Sequence, residues 1–232
     1  MRILFILIFS TFTCFIFSQS ENSNISINEN IKKRIAFSHL SIEDGLSQNS
    51  VISMTQDSIG YMWFATQDGL NRYDGNDFKI YNKQFEDITR PAFSNLGKVY
   101  IDKQNRLWII TNSGILERYN SQTDDFEKIK RFQNVSAIYQ DDNFNKYIGT
   151  YKNGFYKIDH ITKDTIQLFN KSERNKTVYD IYKSNDAVYI TATNAIFRLK
   201  GNKYTNIVDG NQSINYSAIT ETHDGTLWFG SF

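Results

Sequence analysis

Gly60-Tyr-Met-Trp63-Phe-Ala-Thr66 recurs in this sequence as Asn105-Arg-Leu-Trp108-Ile-Ile-Thr111 and again as Gly225-Thr-Leu-Trp228-Phe-Gly-Ser231. The three copies hold all three tryptophans of the 232-residue chain. Two weaker copies, Tyr147-Ile-Gly-Thr150 and Tyr189-Ile-Thr-Ala192, fit between the second and third. The aromatic positions are then 45, 39, 42 and 39 residues apart. A strand-rich repeat of about 40 residues predicts a β-propeller, with one four-stranded blade for each repeat.

The first complete repeat contains four short stretches of strand-forming residues joined by turn residues. The stretches are 51–56, 61–66, 70–73 and 78–81, and Asp57-Ser-Ile-Gly60, Gln67-Asp-Gly69 and Asp74-Gly75-Asn-Asp77 separate them. Matching strands are predicted at 99–102, 107–111, 115–119 and 126–129, then at 136–139, 147–150, 155–158 and 165–169, and from 178–182 onward. In the fourth repeat Ala195 stands where the others have glycine. The backbone of this second turn must therefore adjust.

The predicted fold class is therefore all-β: a β-propeller of four-stranded antiparallel blades, with four complete repeats and part of a fifth. Five blades can form an open arc with unpaired edges, which we favour, or a small closed ring. In either arrangement Trp63, Trp108 and Trp228 are expected to be buried between neighbouring blades, and the alternative is a stacking platform for sugars. We interpret Asp57 and Gly60, and with them Gly69, Gly114 and Gly225, as turn residues, the glycines allowing positive φ. Thr66, Thr111 and Thr150 are expected to hydrogen-bond within the sheet.

The N-terminal residues are typical of an exported protein. Arg2 precedes a run of 15 mostly apolar residues, and Ser18-Gln-Ser20 resembles a cleavage site, so residues 1–20 are predicted to be a signal peptide. An uncleaved anchor is the alternative, but it needs a longer apolar span. Residues 21–34 are a polar lead-in, and the partial propeller domain is expected at 35–232. These features predict a periplasmic or extracellular location.

The mature chain offers few groups for disulfides, charged polymers or metals. Cys14 is the only cysteine, and it lies in the predicted signal peptide. Without residues 1–20 the chain has 25 basic side chains, since Arg2 is lost from 26, against 25 acidic ones. This balance gives no driving force for binding nucleic acid. His39, His160 and His223 lack metal-ligand spacing, so neither a metal site nor a cofactor is expected.

Three segments near the start of the repeats carry a family resemblance. Phe37-Ser-His-Leu40, Glu43-Asp-Gly-Leu-Ser-Gln-Asn-Ser-Val51 and the run from Gln56 to Gly75 closely resemble the opening of the two-component regulator propeller family. The resemblance extends over residues 35–232 and is most specific in the first repeat. Phe37 to Leu40 also matches the position of the fourth strand at 78–81, which implies a strand that joins a last blade.

This resemblance implies a function in signalling. Members of the family are exported sensor regions of hybrid histidine kinases, whose propellers detect ligands that are often polysaccharide fragments. A β-sandwich, a transmembrane helix and a kinase follow in such proteins. The present sequence stops one strand into the core of its fifth repeat, so we expect it to be a truncated form that does not cross the membrane after cleavage and has no enzymatic activity. A secreted carbohydrate-active enzyme and a protein-interaction scaffold are the alternative functions.

A ligand is expected to bind where two kinds of loop meet. The loops that lead into first strands and those that join second to third strands should share one face of the propeller, and polar side chains collect there. From this face we choose Asn49, Asp68, Asn112 and Lys152 as ligand-binding residues, with a carbohydrate or another small molecule as the ligand. A second sensor chain, forming a homodimer, is the other candidate partner. No catalytic residue is predicted.

Overall fold

The structure is a computed structural model that describes residues 37–85, 97–185, 187–208 and 214–231. Contacts divide the chain into two units, residues 1–38 and 39–232, and all the elements below belong to the second. The predicted signal peptide (1–20) and the polar lead-in (21–34) lie outside the described residues. No helix in the described ranges is long and apolar enough to span a membrane.

Within the described ranges, eighteen strands follow a short 3₁₀ helix, Ile42–Asp44. Blade 1 comprises β1 (Val51–Gln56), β2 (Met62–Thr66), β3 (Gly69–Tyr73) and β4 (Phe78–Tyr81). Blade 2 comprises β5 (Lys98–Ile101), β6 (Leu107–Ile110), β7 (Leu116–Asn120) and β8 (Asp125–Lys128). Blade 3 comprises β9 (Val135–Gln140), β10 (Lys146–Thr150), β11 (Phe155–Ile158) and β12 (Thr165–Gln167). Blade 4 comprises β13 (Val178–Lys183), β14 (Val188–Ala192), β15 (Ala195–Lys200) and β16 (Lys203–Asn206), and blade 5 comprises β17 (Tyr216–Glu221) and β18 (Leu227–Ser231).

Each of the first four blades is an antiparallel sheet in which the strands lie in chain order, and blade 5 contributes its first two strands. The predicted fold class is confirmed, and most predicted strand ends are correct to within one or two residues. One predicted strand is wrong. Residues 37–40 form no strand, since no described strand pairs with them.

Consecutive blades pack face to face, and the innermost strands β1, β5, β9, β13 and β17 form the contacts that lead from blade to blade. Trp63 of blade 1 packs in one cluster with Val99, Leu107 and Ile109 of blade 2. Trp108 packs in the same way against Val135 and other residues of blade 3. Burial of these large side chains is the main stabilising contribution at each junction.

Each of these two tryptophans donates its indole N–H to an aspartate, which fixes the ring. Asp57 Oδ1 accepts the backbone N–H groups of the following turn, while its Oδ2 accepts the indole N–H of Trp63 at 2.9 Å. In blade 2 the Oδ2 of Asp102 accepts the indole N–H of Trp108 at 2.8 Å and also the Nε of Arg106. The aspartate therefore closes the turn after the first strand and holds the aromatic ring of the second strand.

Blade 5 departs from this arrangement. Thr222 occupies the position of the aspartate, and Trp228 is 60% exposed, against 1% for Trp63 and 6% for Trp108. The prediction that Trp228 is buried is wrong, because no sheet in the described ranges covers that face of blade 5. Met54 on the outward face of blade 1 is also exposed, at 64%. Blades 1 and 5 therefore do not cover each other, as the open-arc prediction requires.

Two details of the turns differ from expectation. Gly60, Gly114 and Gly225 have positive φ as predicted, but Gly69 does not; it lies in β3, where an added Cβ would lie 3.1 Å from Ile80 Cγ2 and 3.2 Å from Ser47 Oγ. Close packing rather than φ requires that glycine. In blade 4 the positive φ moves one residue back, to Asn194 at 52°, and Ala195 begins a strand.

The threonines at the ends of the second strands close turns rather than reinforce the strand ladder. The hydroxyl of Thr66 donates to the carbonyl of Gly69 at 3.1 Å, and that of Thr150 donates to the carbonyl of Gly154 at 2.6 Å. Thr111 Oγ1 instead accepts the N–H of Ile115 at 3.3 Å. The hydroxyls of Thr66 and Thr150 thus satisfy buried carbonyl groups beside the loops of the predicted ligand face, whereas that of Thr111 binds the N–H of an exposed residue there.

Candidate ligand-binding site

The two kinds of loop expected to share one face are joined by backbone hydrogen bonds. Tyr151, between the second and third strands of blade 3, donates its N–H to the carbonyl of Asn134, which lies just before the first strand. Thr193 donates to Thr177 in the same way in blade 4. The loops also connect neighbouring blades, because Val135 N–H donates to the carbonyl of Gly114. Hydrogen bonds therefore join described loops of this face within blades 3 and 4 and between blades 2 and 3, and we call this face the rim.

All four predicted ligand residues lie in loops of this rim. Asn49 is exposed, but its Oδ1 accepts the N–H of Ile42 at 2.9 Å, so the side chain also holds the 3₁₀ helix in place. Asp68 is exposed at the tip of the turn between β2 and β3.

Asn112 and Lys152 occupy the corresponding turns of blades 2 and 3. Asn112 is half-buried, and its backbone N–H donates to the carbonyl of Gln84. Lys152 is exposed with a positive φ of 55°, and its Nζ lies 5.2 Å from the centre of the Tyr151 ring. Each of these two side chains therefore lies on the predicted face, on a blade of its own.

A larger feature that the sequence did not reveal lies between the innermost strands. It is a cavity of about 580 Å³, here called the axial cavity, and it is lined by Ile52, Ser53, Gly97, Lys98, Tyr179, Asp180 and Ser217. These residues come from blades 1, 2, 4 and 5. All of them lie at or next to the starts of their strands, the ends that follow the loops of the predicted ligand face.

A β-bulge near the start of four of the five first strands explains which side chains line this cavity. In β1, β9, β13 and β17 the register shifts after the first residue, and the second residue is left without a partner. A bulge redirects the side chains around it. Ile52, Tyr179 and Ser217 are three of these unpaired residues, and all three line the axial cavity.

The residue after each bulge, together with Lys98 at the equivalent position of β5, shows where the blades differ. Ser53, Lys98, Ala137, Asp180 and Ala218 pair with equivalent positions of the second strands, as with Ser53 opposite Ala65 and Lys98 opposite Ile110. Three of the five are small residues. The remaining two, Lys98 and Asp180, have opposite charges and approach each other in the axial cavity.

The contact between these charges is loose. Lys98 Nζ lies 3.7 Å from Asp180 Oδ1, beyond ordinary hydrogen-bond length, and it donates instead to the backbone carbonyl of Tyr179. The side chains are 30% and 33% exposed. Burial lowers the pKa of Lys98, and the Asp180 carboxylate opposes that shift.

Backbone contacts hold Asp180 in place. Its Oδ1 accepts the N–H of Ile181 at 3.0 Å, and its Oδ2 accepts the N–H of Ile219 in blade 5 at 3.2 Å. Ser53 makes the same kind of contact at the first junction, where its Oγ accepts the N–H of Val99 at 3.2 Å. In blades 1 and 4 the residue after the bulge therefore connects successive blades as well as bordering the cavity.

Strand pairing rather than sequence spacing makes these two positions equivalent. Lys98 lies ten residues before Trp108, whereas Asp180 lies nine before Tyr189, so a fixed offset in the sequence does not align them. No three His, Cys, Asp or Glu side chains of the described residues are grouped as metal ligands.

The rim, the bulged first strands and the axial cavity define a β-propeller whose loops present polar groups to one face. Among known proteins, residues 45–68 match the two-component regulator propeller family. A 46-residue segment is 59% identical to "Histidine kinase P4" of Formosa agariphila, covering 20% of this chain and 3% of that protein. The resemblance to the two-component regulator propeller family is thereby confirmed.

Two of the solved structures with similar folds are extracellular domains of such systems. The extracellular domain of a proposed hybrid two-component system of B. thetaiotaomicron is 25% identical, with a TM-score of 0.64, and the match covers 84% of this chain and 29% of that one. A second such domain from the same organism is 20% identical with a TM-score of 0.65, covering 84% and 27%. The chain thus spans less than a third of these relatives, and the second likeness shows the fold alone.

Proposed function

We propose that this chain is an extracytoplasmic ligand-sensing propeller region of a two-component signal transduction system of the hybrid histidine kinase type. The observation that carries the proposal is the family match at residues 45–68 together with the likeness to an extracellular domain of such a system. In this role the chain binds a ligand and performs no catalysis itself. Oligosaccharide fragments are the proposed ligands.

The proposed binding residues are Asn49, Asp68, Asn112 and Lys152. Support comes from their position on the rim, where amide, carboxylate and ammonium groups on a rigid scaffold suit the hydroxyl groups of sugars. Hydrogen bonds between loops hold the rim before any ligand arrives. Such preorganisation lowers the entropy cost of binding.

Calorimetric titration of the protein with a panel of neutral and acidic oligosaccharides tests this proposal. One variant replaces the four rim residues with alanine, and it should lose at least tenfold in affinity. A matched control replaces four exposed polar residues away from the rim, Asn76, Gln104, Gln122 and Lys203, and it should bind like the wild type. Undiminished affinity in a folded rim variant would refute the assignment of these residues, and no binding by any oligosaccharide would refute the proposed ligand class.

Export is the second part of the proposal. We propose that residues 1–20 are removed and that the mature chain lies in the periplasm or outside the cell. The extracellular location named for the similar domains of B. thetaiotaomicron supports this. Mass spectrometry of the protein from its native cell should find an N-terminus near Glu21, and an intact Met1 would contradict export by a cleaved signal peptide.

A further inference from the structure

The axial cavity contains a set of polar groups that its packing role does not explain. Ser53 and Asp180 connect blades through their contacts with Val99 and Ile219, but the corresponding junction of blade 3 uses an alanine, Ala137. A lysine opposite an aspartate is therefore not needed to join the blades. Partly buried charges are costly unless they are paired, and such groups in a cavity are candidates for a functional site.

The pair also has unused capacity for hydrogen bonds. An ammonium group has three donors, and Lys98 uses one on the carbonyl of Tyr179. The Asp180 carboxylate accepts two backbone N–H groups and has lone pairs left on both oxygens. At 3.7 Å the charges lie close enough for one small group to contact both.

The mixture of charges restricts the chemistry of a ligand. An anion that reaches Lys98 also meets the negative charge of Asp180, and a cation that reaches Asp180 meets the positive charge of Lys98. A hydroxyl group avoids both repulsions, since its oxygen accepts from the ammonium while its hydrogen donates to the carboxylate. Two adjacent hydroxyls can use both charged groups at once.

The rest of the cavity wall suits a sugar ring. Tyr179 and Ile52 provide an aromatic and an aliphatic surface, and the hydroxyl groups of Ser53 and Ser217 add polar contacts. A volume of about 580 Å³ is within the range of small-molecule pockets and leaves room for one or two sugar rings.

We propose that the axial cavity binds a neutral pyranose ring through two adjacent hydroxyl groups, which Lys98 and Asp180 hold. The inference rests on the proposed function, because it assigns a sugar-binding position within the same propeller. The axial-cavity inference differs from the rim proposal because it places the main sugar contacts on the first strands. The rim proposal places them on Asn49, Asp68, Asn112 and Lys152.

Nuclear magnetic resonance titration of the isotope-labelled protein with methyl glucopyranoside, methyl galactopyranoside and methyl mannopyranoside is the test. At least one of them should shift the amide signals of Ile181 and Ile219, whose N–H groups bind Asp180. Lys98→Met keeps the unbranched stem of the side chain but removes its ammonium group, and it should weaken the binding of that sugar at least tenfold. Lys203→Met, at an exposed lysine of β16, should leave its affinity unchanged.

Several results would overturn this inference. One is a set of shifts confined to the rim loops, which would leave the proposed function in place. Another is binding in a folded Lys98→Met variant with wild-type affinity, and a third is the absence of any shift with all three sugars. Shifts of the cavity amides by glycine but by none of the sugars would assign the site to zwitterions and would likewise overturn it. If Lys98→Met does not fold, the amide shifts of the wild-type protein decide the question.

Discussion

Trp108 and Trp228 occupy the same position of the repeat, yet they lie in opposite environments. Trp108 is 6% exposed, donates to the carboxylate of Asp102 and packs against blade 3. Trp228 is 60% exposed, and the equivalent of Asp102 in its blade is Thr222, which has no carboxylate to accept the indole N–H. The difference teaches that the repeat specifies the strand and its turn, whereas burial of the tryptophan depends on the next blade.

The largest expected effect separates these two tryptophans directly. Trp108→Ala should lower the free energy of unfolding by about 3 to 5 kcal/mol, because it leaves a cavity between two blades. Trp228→Ala should cost less than about 1 kcal/mol, since an exposed side chain leaves none. Urea unfolding of both variants measures the difference, and equal losses would show that the two rings are equally buried.

The aspartate of the turn should have the next largest effect. Asp102→Ala removes the acceptor for Trp108 and Arg106, and we expect a loss of about 2 to 3 kcal/mol because buried donors remain unpaired. Arg106→Ala is the control, since it leaves the indole bond in place and should cost less. The same unfolding measurements apply, and a neutral Asp102→Ala would mean that the indole bond does not stabilise blade 2.

Strand positions and the buried tryptophans of blades 1 and 2 could be predicted from the sequence because both are local or periodic. β1, β4 and β11 have the predicted ends, since alternating residues and turn residues mark them. Trp228 could not be predicted in this way, because its burial is a property of two blades. Gly69 was misread for a similar reason, as its neighbours Ser47 and Ile80 are distant along the chain.

Of the candidate site, too, only one part could be predicted from the sequence. The shared loop face followed from the order of strands in a blade, and the loops do meet there. The axial cavity did not follow, because a β-bulge shifts side chains without an obvious mark in the sequence. Lys98 and Asp180 are 82 positions apart, and only the structure brings them together.

A smaller loss of stability is expected from a substitution at the outer edge of the junction between blades 1 and 2. Asp124 accepts the hydroxyl groups of Tyr81 and Tyr119, each at 2.6 Å, and contacts Lys79. The hydrogen bond from Lys79, followed by those from the tyrosines, lowers the pKa of Asp124. Because the carboxylate is 36% exposed, Asp124→Asn should cost only about 1 kcal/mol at pH 7.

The effect of Asp124 should depend on pH with a definite sign. A carboxyl whose pKa is lowered on folding stabilises the folded state fully above its unfolded pKa, near about 3.9. That contribution is lost as the pH falls from there through the lowered value. The stability difference between wild type and Asp124→Asn should therefore shrink below about pH 4, and a difference that grows in acid would contradict this account.

The smallest effect is expected from transferring the aspartate to blade 5. Thr222→Asp restores the turn residue of blades 1 and 2, but Trp228 stays uncovered. We expect a change of less than about 0.5 kcal/mol, because surface substitutions have little effect. Stabilisation as large as the loss in Asp102→Ala would show that the carboxylate, rather than the next blade, is what fixes the tryptophan.

Hydrogen exchange of the three indole N–H groups tests most directly the claim that the next blade buries each tryptophan. The chain has three tryptophans, so three indole signals can be followed in deuterated water by nuclear magnetic resonance. We expect slow exchange for Trp63 and Trp108, whose indoles are buried and bound to Asp57 and Asp102, and fast exchange for Trp228. Equal protection of all three indoles, or fast exchange at Trp63 or Trp108, would contradict it.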